Sequence, residues 1–372
     1  MNSTRILFIA PTPPPVTGQS VACELLYTAL LEKGHEIVLV NLSKNGFKQG
    51  VNSLGRVFEI LRVFFRVWTN YRKADVIYFT PSESLAGNLK DLIILFLIGS
   101  ARNKTIIHLH GGAGMRIILG EKYPALRRAN ILMLKNIRGV IVLGERLKDI
   151  YKGAVCTEKI HSVANFAGDD FFLTKIDIEE KFLKSRPLRL LFLSNLLPGK
   201  GYKELFAALL LLPSEIQAKV HLDFAGGFET PNDENIFRAQ VAEFDNVSIH
   251  GVVHGDEKKN LFRNAHVFCL PTYYPYEGQP ISILEAYASG CAVFTTDHSG
   301  IFDIFTPEIN GFQVEPRSPE SIANAILQAL DNPRLLREIG LRNSYEANQK
   351  YRSSNHLEKM KDVFCTKEWS AL

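Results

Sequence analysis

The stretch LRLLFLSNLLPGKGYKELFAALLLL, residues 188–212, decides the fold. Its first six residues are almost all apolar and predict a buried β-strand. A loop with proline and glycine follows at 194–201, and residues 203–212 then have the spacing of an amphipathic helix. The same order of strand, short loop and helix returns along the whole chain. This alternation is typical of right-handed βαβ units, in which helices cover a parallel sheet on both faces.

Short β-branched and aromatic runs predict six strands in each half of the chain. In the first half they are 6–10, 37–40, 76–79, 105–109, 140–143 and 160–163; in the second they are 188–193, 220–225, 247–249, 267–270, 292–296 and 311–314. The runs are nearly continuous in apolar residues, as in parallel strands that are buried on both faces. The sequence therefore predicts an α/β protein with two Rossmann-like, doubly wound parallel sheets. Ligands of such sheets bind beyond the carboxyl ends of the strands, so we expect the two domains to face each other across a cleft.

The polar and charged segment between 165 and 187 predicts the boundary between the two domains. We predict an N-terminal domain at 1–168, a linker at 169–186 and a C-terminal domain at 187–352. The final segment, 353–372, has Leu357, Met360 and Phe364 on one helical face. We expect that helix to pack back on the N-terminal domain.

Composition excludes several classes of protein. The chain has 372 residues, of which 46% are hydrophobic and 22% charged, so disorder, collagen-like repetition and coiled coil are excluded. Its 5 cysteines are scattered without a C-x-x-C pair, which favours a reducing cytosol over a disulfide framework or a zinc site. The first ten residues read as a strand and not as a signal peptide. The longest apolar run is 92–98, much shorter than the ~20 residues of a membrane-spanning helix.

The charge is divided unevenly along the chain. Residues 1–185 carry 25 Lys and Arg against 16 Asp and Glu, net +9, while the remainder carries 18 against 23, net −5. A basic first half fits an anionic lipid surface or a phosphorylated acceptor, and no nucleic-acid-binding motif is present. The segment from Arg56 to Trp68 is a basic helix rich in aromatic residues. It suits peripheral contact with the inner face of a membrane, beside Lys122, Arg127 and Arg128, or else packing on the sheet with its arginines in solvent.

Two loops of the first half contain candidate binding residues. Gly18 opens a helix after the proline-rich loop that follows the first strand, where free N–H groups could meet an anion; the alternative is a plain turn. The absence of G-x-G-x-x-G there excludes a dinucleotide oxidoreductase. His110 follows the fourth strand in His110-Gly-Gly-Ala-Gly114, where the glycines let a ligand approach closely. The alternative for His110 is a structural role in a flexible loop.

Two loops of the second half carry charged residues. Lys200, between Gly199 and Gly201 at a helix start, suits a diphosphate, although an exposed lysine is the alternative. Glu277 and Glu285 are eight residues apart in YEGQPISILEA, residues 276–286. Two carboxylates at this spacing can reach opposite ends of an elongated ligand, and each can accept hydrogen bonds from vicinal hydroxyls. Two solvated glutamates are disfavoured, because apolar residues surround Glu285.

The motif E-G-x-P-x-x-x-x-E-A, followed by G-x-A-V, resembles the E-x7-E motif of family 4, the retaining glycosyltransferases of the GT-B fold. The resemblance extends over nearly the whole chain, through 34–37, His110, Lys200-Gly201, 251–253, 299–303 and Asn310-Gly311. It implies a hexosyltransferase that moves a sugar from a nucleotide diphosphate sugar, most commonly UDP-linked, to a saccharide or lipid-linked saccharide with retained anomeric configuration. It also implies cell-surface polysaccharide biosynthesis as the setting, with no metal or other cofactor.

The resemblance assigns roles to individual residues. Catalytic roles fall on His110 beside the reacting sugar, Glu277 at the sugar hydroxyls and Lys200 at the diphosphate; the acceptor is assigned to the N-terminal domain. The implied donor-binding residues are Gly18, Asn195, Lys200, Val252, Glu277, Gly278, Gln279, Pro280, Ile281 and Glu285, with Glu285 at the ribose and Val252 near the base. The sequence departs from the family at Asn195, where an arginine is usual, and at Asp303, where glutamate is usual.

Other functions fit the sequence less well. A hydrolase would need a G-x-S-x-G elbow after the His110 loop, and none exists. A sugar-nucleotide epimerase could share the two-domain fold, but the spacing of Glu277 and Glu285 favours transfer. A non-catalytic protein that binds nucleotide sugars stays open as an alternative.

Overall fold

The computed structural model describes residues 3–43, 53–183 and 187–364. All twelve predicted strands are present, with ends shifted by at most two residues. The strands are β1 (Arg5–Ala10), β2 (Glu36–Asn41), β3 (Val76–Phe79), β4 (Thr105–His108), β5 (Gly139–Val142), β6 (Ile160–Ser162), β7 (Leu188–Leu193), β8 (Val220–Ala225), β9 (Val247–Gly251), β10 (Val267–Leu270), β11 (Ala292–Thr295) and β12 (Gly311–Gln313).

Helices fill the connections between the strands. They are α1 (Gly18–Glu32), α2 (Ser53–Asn70), α3 (Leu85–Leu97), α4 (Ala113–Leu119), α5 (Pro124–Leu134), α6 (Lys175–Leu183), α7 (Tyr202–Leu211), α8 (Ser214–Gln217), α9 (Pro231–Val241), α10 (Gly255–Asn264), α11 (Ile281–Ala288), α12 (Pro319–Asp331), α13 (Pro333–Lys350) and α14 (Ser353–Phe364).

The first sheet has the order β2-β1-β3-β4-β5-β6, and its pairs are parallel. Because successive side chains of a strand point to opposite faces, β1 contributes Ile6 and Phe8 to one core and Leu7 and Ile9 to another. Side chains from α2, α3, α4 and α5 cover one face, and those from α1 and α14 cover the other. The order reverses between β1 and β3, so the loops after these strands form the switch point of this sheet.

The second sheet has the order β12-β11-β10-β7-β8-β9, also with parallel pairs. Here the order reverses between β7 and β10, the first and fourth strands of this half. Connections from these two strands leave to opposite sides and open a crevice between their carboxyl ends. The loops 194–201 and 271–280 therefore meet at the switch point of the second sheet.

The described residues form two compact units, one up to Asn165 together with residues from His356 onward, and one from Phe166 to Asn355. In the first unit, Met360 and Phe364 of α14 enter the core, and Arg138 donates a hydrogen bond of 2.7 Å to the Phe364 carbonyl. The last helix therefore contributes to the core of the first unit.

The segment predicted as a linker, 169–186, differs from that prediction over its described part. Residues 169–183 lie in the second unit and contain helix α6. Lys181 of this helix is buried, and its Nζ donates to the carbonyls of Phe262, Ala265 and Ser289 at 3.3, 2.9 and 2.6 Å. Burial lowers the pKa of Lys181. The composition of the segment indicated a solvated linker, but one lysine with three carbonyl partners fixes it to the domain.

We predict that Lys181→Ala lowers the free energy of unfolding by about 2–4 kcal/mol, because the substitution leaves buried carbonyls without a donor and opens a cavity. Urea unfolding followed by circular dichroism would measure the change.

Lys175→Ala is the matched control, since Lys175 lies on the same helix with a side chain that is 76% exposed. It should change the stability by less than about 0.5 kcal/mol. Equal effects of the two substitutions would show that the Lys181 hydrogen bonds do not hold α6 in place.

Candidate active site

Lys200 lies at the switch point of the second sheet, in the loop between β7 and α7. Its Nζ is 2.7 Å from Oε2 of Glu277, which belongs to the loop after β10. Both residues are buried, and each is less than a tenth exposed. Two residues 77 positions apart in the sequence thus form a buried ion pair, and Lys200 is not the exposed lysine that the alternative interpretation required.

A backbone hydrogen bond joins the two loops, and a side-chain hydrogen bond supports Glu277 within the second loop. The Tyr273 amide donates to the Gly199 carbonyl at 2.7 Å, and the Thr272 hydroxyl donates to Glu277 Oε2 at 3.0 Å. The Lys200 ammonium also lies 4.7 Å from the centre of the Tyr274 ring, a cation–π contact. An ammonium has three donors and a carboxylate has two oxygens, so the pair retains capacity for a further ligand.

Glu285 occupies the second turn of α11 and is 4% exposed. Its Oε1 accepts a hydrogen bond of 2.6 Å from Nζ of Lys258 in α10. Its Oε2 is buried and has no hydrogen-bond partner among the described residues. A buried carboxylate oxygen without a donor is costly, and a ligand hydroxyl would supply one.

Sequence reasoning did not identify Lys258. It is one of two adjacent lysines in a polar helix, and the sequence alone contains no signal that separates it from Lys259. Only the packing of α10 brings it to Glu285 and places its ammonium 4.9 Å from the centre of the Phe171 ring.

The segment between the two glutamates is held by the loop after β11. Ser299 Oγ donates to the Glu277 carbonyl at 2.7 Å, and the Gly300 amide donates to the Gly278 carbonyl at 3.2 Å. Residues 278–280 are buried, and Ile281 begins α11. The predicted donor-binding segment is therefore a fixed loop that leads into the helix of Glu285.

Two further predicted donor-binding residues are exposed. Asn195 lies in the loop after β7, and Val252, which is 62% exposed, directly follows β9. A second cation lies near the Lys200 loop, because the Arg317 guanidinium is 4.7 Å from the centre of the Tyr273 ring. Asn195, Lys200, Glu277 and Val252 thus all follow the carboxyl ends of strands of the second sheet, and Lys200 and Glu277 are in direct contact.

His110 belongs to the first unit, two residues beyond the end of β4. Its Nε2 is 3.7 Å from the Cys23 thiol, and its ring centre is 3.9 Å from that of His108. Its Nδ1 is buried without a hydrogen-bond partner in the part of the chain that the structure describes. Burial lowers the pKa of His110 to about 3, so the imidazole is neutral at physiological pH. His108 is a core residue, and its Nδ1 forms a hydrogen bond of 2.7 Å with the Tyr78 hydroxyl.

Gly18 begins α1, also in the first unit. Thr17 caps this helix, and its side chain accepts a hydrogen bond of 3.1 Å from the Ser20 amide. The Ser20 hydroxyl accepts one of 2.8 Å from the Thr17 amide. The Ser20 amide, one of the helix-start amides that the sequence suggested for anion binding, is therefore bonded within the protein. Gly18 is exposed and lies beside this cap.

Among residues 3–43, 53–183 and 187–364, no group of three or more His, Cys, Asp or Glu side chains is arranged to hold a metal ion.

A Rossmann-type domain with a buried lysine and two carboxylates at its switch point fits the donor domain of a glycosyltransferase. Residues 174–350 match the family described as glycosyl transferases group 1. This match supports a transferase activity of the glycosyltransferase class.

Known proteins resemble the chain over most of its length. An uncharacterized glycosyltransferase of Methanocaldococcus jannaschii is 24% identical over 354 residues, 86% of this chain and 87% of that protein. The capsular polysaccharide biosynthesis glycosyltransferase CapM of Staphylococcus aureus is 24% identical over 300 residues, 77% of this chain and 75% of CapM. The crystal structure of Anabaena HepE in complex with UDP-glucose has a TM-score of 0.70 at 18% identity, covering 97% of this chain and 99% of that one. The predicted fold is confirmed: the chain has the two Rossmann-like domains of the GT-B fold.

We predict that Lys258→Met lowers the free energy of unfolding by about 1–3 kcal/mol at neutral pH, because it leaves the buried Glu285 carboxylate without its cation. Lys258→Arg should retain most of the stability. Denaturant unfolding of the three proteins would measure this.

The neighbouring Lys259 provides the control, since it pairs with the 91% exposed Asp256 on the surface. Lys259→Met should leave the unfolding midpoint unchanged. If Lys258→Met also left it unchanged, the Lys258–Glu285 contact would contribute nothing to the fold.

Proposed function

We propose that the protein is a retaining hexosyltransferase that moves a sugar from a nucleotide diphosphate sugar, UDP-linked, to a saccharide or lipid-linked saccharide acceptor. The observation that carries the proposal is the buried Lys200–Glu277 pair at the switch point, together with the unpartnered oxygen of Glu285. Similar proteins support the substrate class, since HepE was solved with UDP-glucose and CapM is a glycosyltransferase of capsular polysaccharide biosynthesis. We accordingly propose cell-surface polysaccharide biosynthesis as the setting.

The charge of Lys200 suits the diphosphate of the donor. Breaking the anomeric C–O bond builds negative charge on the leaving phosphate oxygen, and a fixed cation beside a helix start stabilises that charge. The ion pair with Glu277 holds the ammonium in place before the donor arrives, so little reorganisation is needed during the reaction. No metal is part of the proposal, and transfer that persists in EDTA would support this.

The two glutamates suit the two hydroxyl-bearing ends of the donor. Glu285 would accept hydrogen bonds from the ribose through Oε2, while Glu277 would accept them from the transferred sugar. Val252 and the backbone around it would contact the base, because they follow β9 on the carboxyl side of the same sheet.

His110 suits a hydrogen bond to the transferred sugar and not acid catalysis, because its imidazole is neutral. Because Glu277 is paired with Lys200 and is assigned to the sugar hydroxyls, we propose that the acceptor oxygen bonds directly to the anomeric carbon, on the face that the diphosphate leaves. The proton of the acceptor hydroxyl then passes to the departing phosphate oxygen, and the configuration is retained.

We predict that Glu285→Ala weakens binding of UDP-glucose by roughly 10–150-fold, equivalent to about 1.5–3 kcal/mol, through the loss of hydrogen bonds to a charged group. Calorimetric titration of the purified chain would measure the change.

Glu215→Ala, at an exposed position of α8, is the control and should bind as the unmodified protein does. A parallel screen of UDP-, GDP- and ADP-sugars identifies the base. Near-unchanged binding in Glu285→Ala would remove the ribose role, and donor binding without transfer to any acceptor would favour a non-catalytic binding protein. The anomeric configuration of the product, read by NMR, tests retention.

We also propose that the first unit contacts an anionic membrane surface peripherally. Helix α2 has two apolar faces: Val63, Phe64 and Val67 pack on the core, whereas Phe65 and Trp68 are 63% and 58% exposed. Packing on the sheet therefore accounts for only part of its aromatic content. The outer stripe also contains Phe58 and Leu61, and the exposed arginines are Arg56, Arg62 and Arg66.

The neighbouring helix α3 adds a second exposed apolar stripe. Leu85, Leu89, Ile93 and Phe96 recur at helical spacing and are all exposed, while Ile94 and Leu95 fill the core. Aromatic and aliphatic stripes beside arginines are typical of helices that lie in a bilayer interface. No helix in the described ranges is long and apolar enough to cross a membrane. A surface of this kind would bring the enzyme to a lipid-linked acceptor.

We predict that Phe65→Ser with Trp68→Ser abolishes flotation with liposomes that contain phosphatidylglycerol. Replacement of the three arginines of α2 by glutamine should weaken binding to these liposomes roughly 100-fold, because each arginine near an anionic surface contributes about 1 kcal/mol.

Tyr345→Ser, at an exposed aromatic position of α13 in the second unit, is the control and should float as the unmodified protein does. Flotation that is absent, or that is independent of anionic lipid, would contradict the membrane proposal.

A further inference from the structure

Glu83 is a half-buried acidic group that the proposed mechanism does not use. It lies in the loop between β3 and α3, and its carboxylate reaches the glycine-rich loop after His110. The Met115 amide donates to Glu83 Oε1 at 3.3 Å, and the backbone at Gly112 and Gly114 also favours the charged form of this carboxylate.

Two glycines of the His110 loop lie against Glu83: a side chain at Gly111 would displace the carboxylate, and one at Gly114 would meet the Glu83 backbone. A Cβ atom on Gly111 would lie 1.7 Å from Glu83 Oε2, and one on Gly114 would lie 2.4 Å from the Glu83 carbonyl oxygen. Neither distance is compatible with a side chain. The sequence His110-Gly-Gly-Ala-Gly114 therefore makes room for a carboxylate of the protein, in addition to any approach by a ligand.

The position of this contact links it to the reacting centre of the proposed function. Glu83 follows β3 at the switch point of the first sheet, and Gly111 is covalently attached to His110. The His110 ring is otherwise held by weaker contacts, the Cys23 thiol at 3.7 Å and the ring of His108. The carboxylate fixes the backbone on the C-terminal side of the imidazole.

We propose that Glu83 is a positioning residue. Its carboxylate binds the Gly111–Met115 backbone, a contact that we call the clasp, and thereby orients the His110 imidazole toward the transferred sugar. The proposal rests on the role of His110 in the proposed function. Charge-assisted hydrogen bonds from amides to a carboxylate are stronger than neutral ones, so the ionised form makes the tighter clasp.

The clasp is sensitive to pH in a defined direction. Burial raises the pKa of Glu83 to about 7, so the clasp is complete above neutral pH and weakens as the pH falls through 7. Glu83 and Asp91 of α3 both interact electrostatically with the Tyr151 hydroxyl. Burial raises the pKa of Asp91, and Lys90 pairs with it at 2.8 Å. The pKa of His110 is well below this range, so its titration does not obscure that of Glu83.

The test compares Glu83→Gln with the unmodified enzyme, using UDP-glucose or whichever donor the screen identifies. We expect kcat to fall roughly 10–100-fold while donor affinity by calorimetry stays unchanged, because the substitution misplaces a group that acts after binding. The fall in kcat below pH 7 should disappear in Glu83→Gln and persist in Asp91→Asn. In the His110→Ala background, Glu83→Gln should have no further effect.

Gly111→Ala gives a second, independent variant, because its methyl group displaces the carboxylate without removing it. It should reproduce the kcat loss even if Glu83→Gln folds poorly. Glu32→Gln, at an exposed position of α1, is the control. An unchanged kcat in Glu83→Gln, or a loss that adds fully to that of His110→Ala, would overturn the proposal.

Isotope-labelled histidine separates this inference from the proposed function. We expect the His110 ring resonances to move in Glu83→Gln, whether or not transfer is detected, while those of His161 stay in place. An enzyme with no transfer but a shifted His110 signal would refute the proposed function and support the clasp. An unmoved His110 signal would refute the clasp.

Discussion

The ion pair between Lys200 and Glu277 is the contact on which the arrangement of the second domain's site depends. Its two residues come from loops after β7 and β10, and they meet because the strand order reverses between these strands. A buried charge is tolerated only with a partner and hydrogen bonds, and Thr272 and Tyr274 supply the additional contacts. The pair therefore fixes the relative position of two loops.

The same physical requirement governs the second carboxylate. Glu285 is only 4% exposed, so its carboxylate needs hydrogen-bond donors from the protein or a ligand. Lys258 donates to only one of its two oxygens. The first domain has a similar arrangement at its own switch point, where the Met115 amide donates to the Glu83 carboxylate. In each domain, groups of the protein hold a carboxylate in place near the carboxyl ends of parallel strands.

The fold could be predicted from the sequence because buried parallel strands leave a strong local signal. The run 188–193 is nearly all apolar, and the strand β7 occupies that range. Segment 169–183 could not be predicted in the same way, since its polar composition is that of a linker. Its packing depends on contacts with distant residues, such as those of Lys181 with the carbonyls of Ala265 and Ser289. Lys258 and Glu83 were missed for the same reason, because each acquires its role from a residue 27 or more positions away.

The sequence by itself determined the α/β class, the twelve strands, the positions of Lys200 and Glu277 in loops after strands, and that of Glu285 on the helix that follows. These features depend on hydrophobic periodicity and motif spacing, which are local properties of the chain. The tertiary structure alone decided that Lys200 binds Glu277, that Lys258 leaves one oxygen of Glu285 without a donor, and that Glu83 fills the space beside Gly111. Such pairings depend on strand order and helix packing, which bring together residues that have no relation along the sequence.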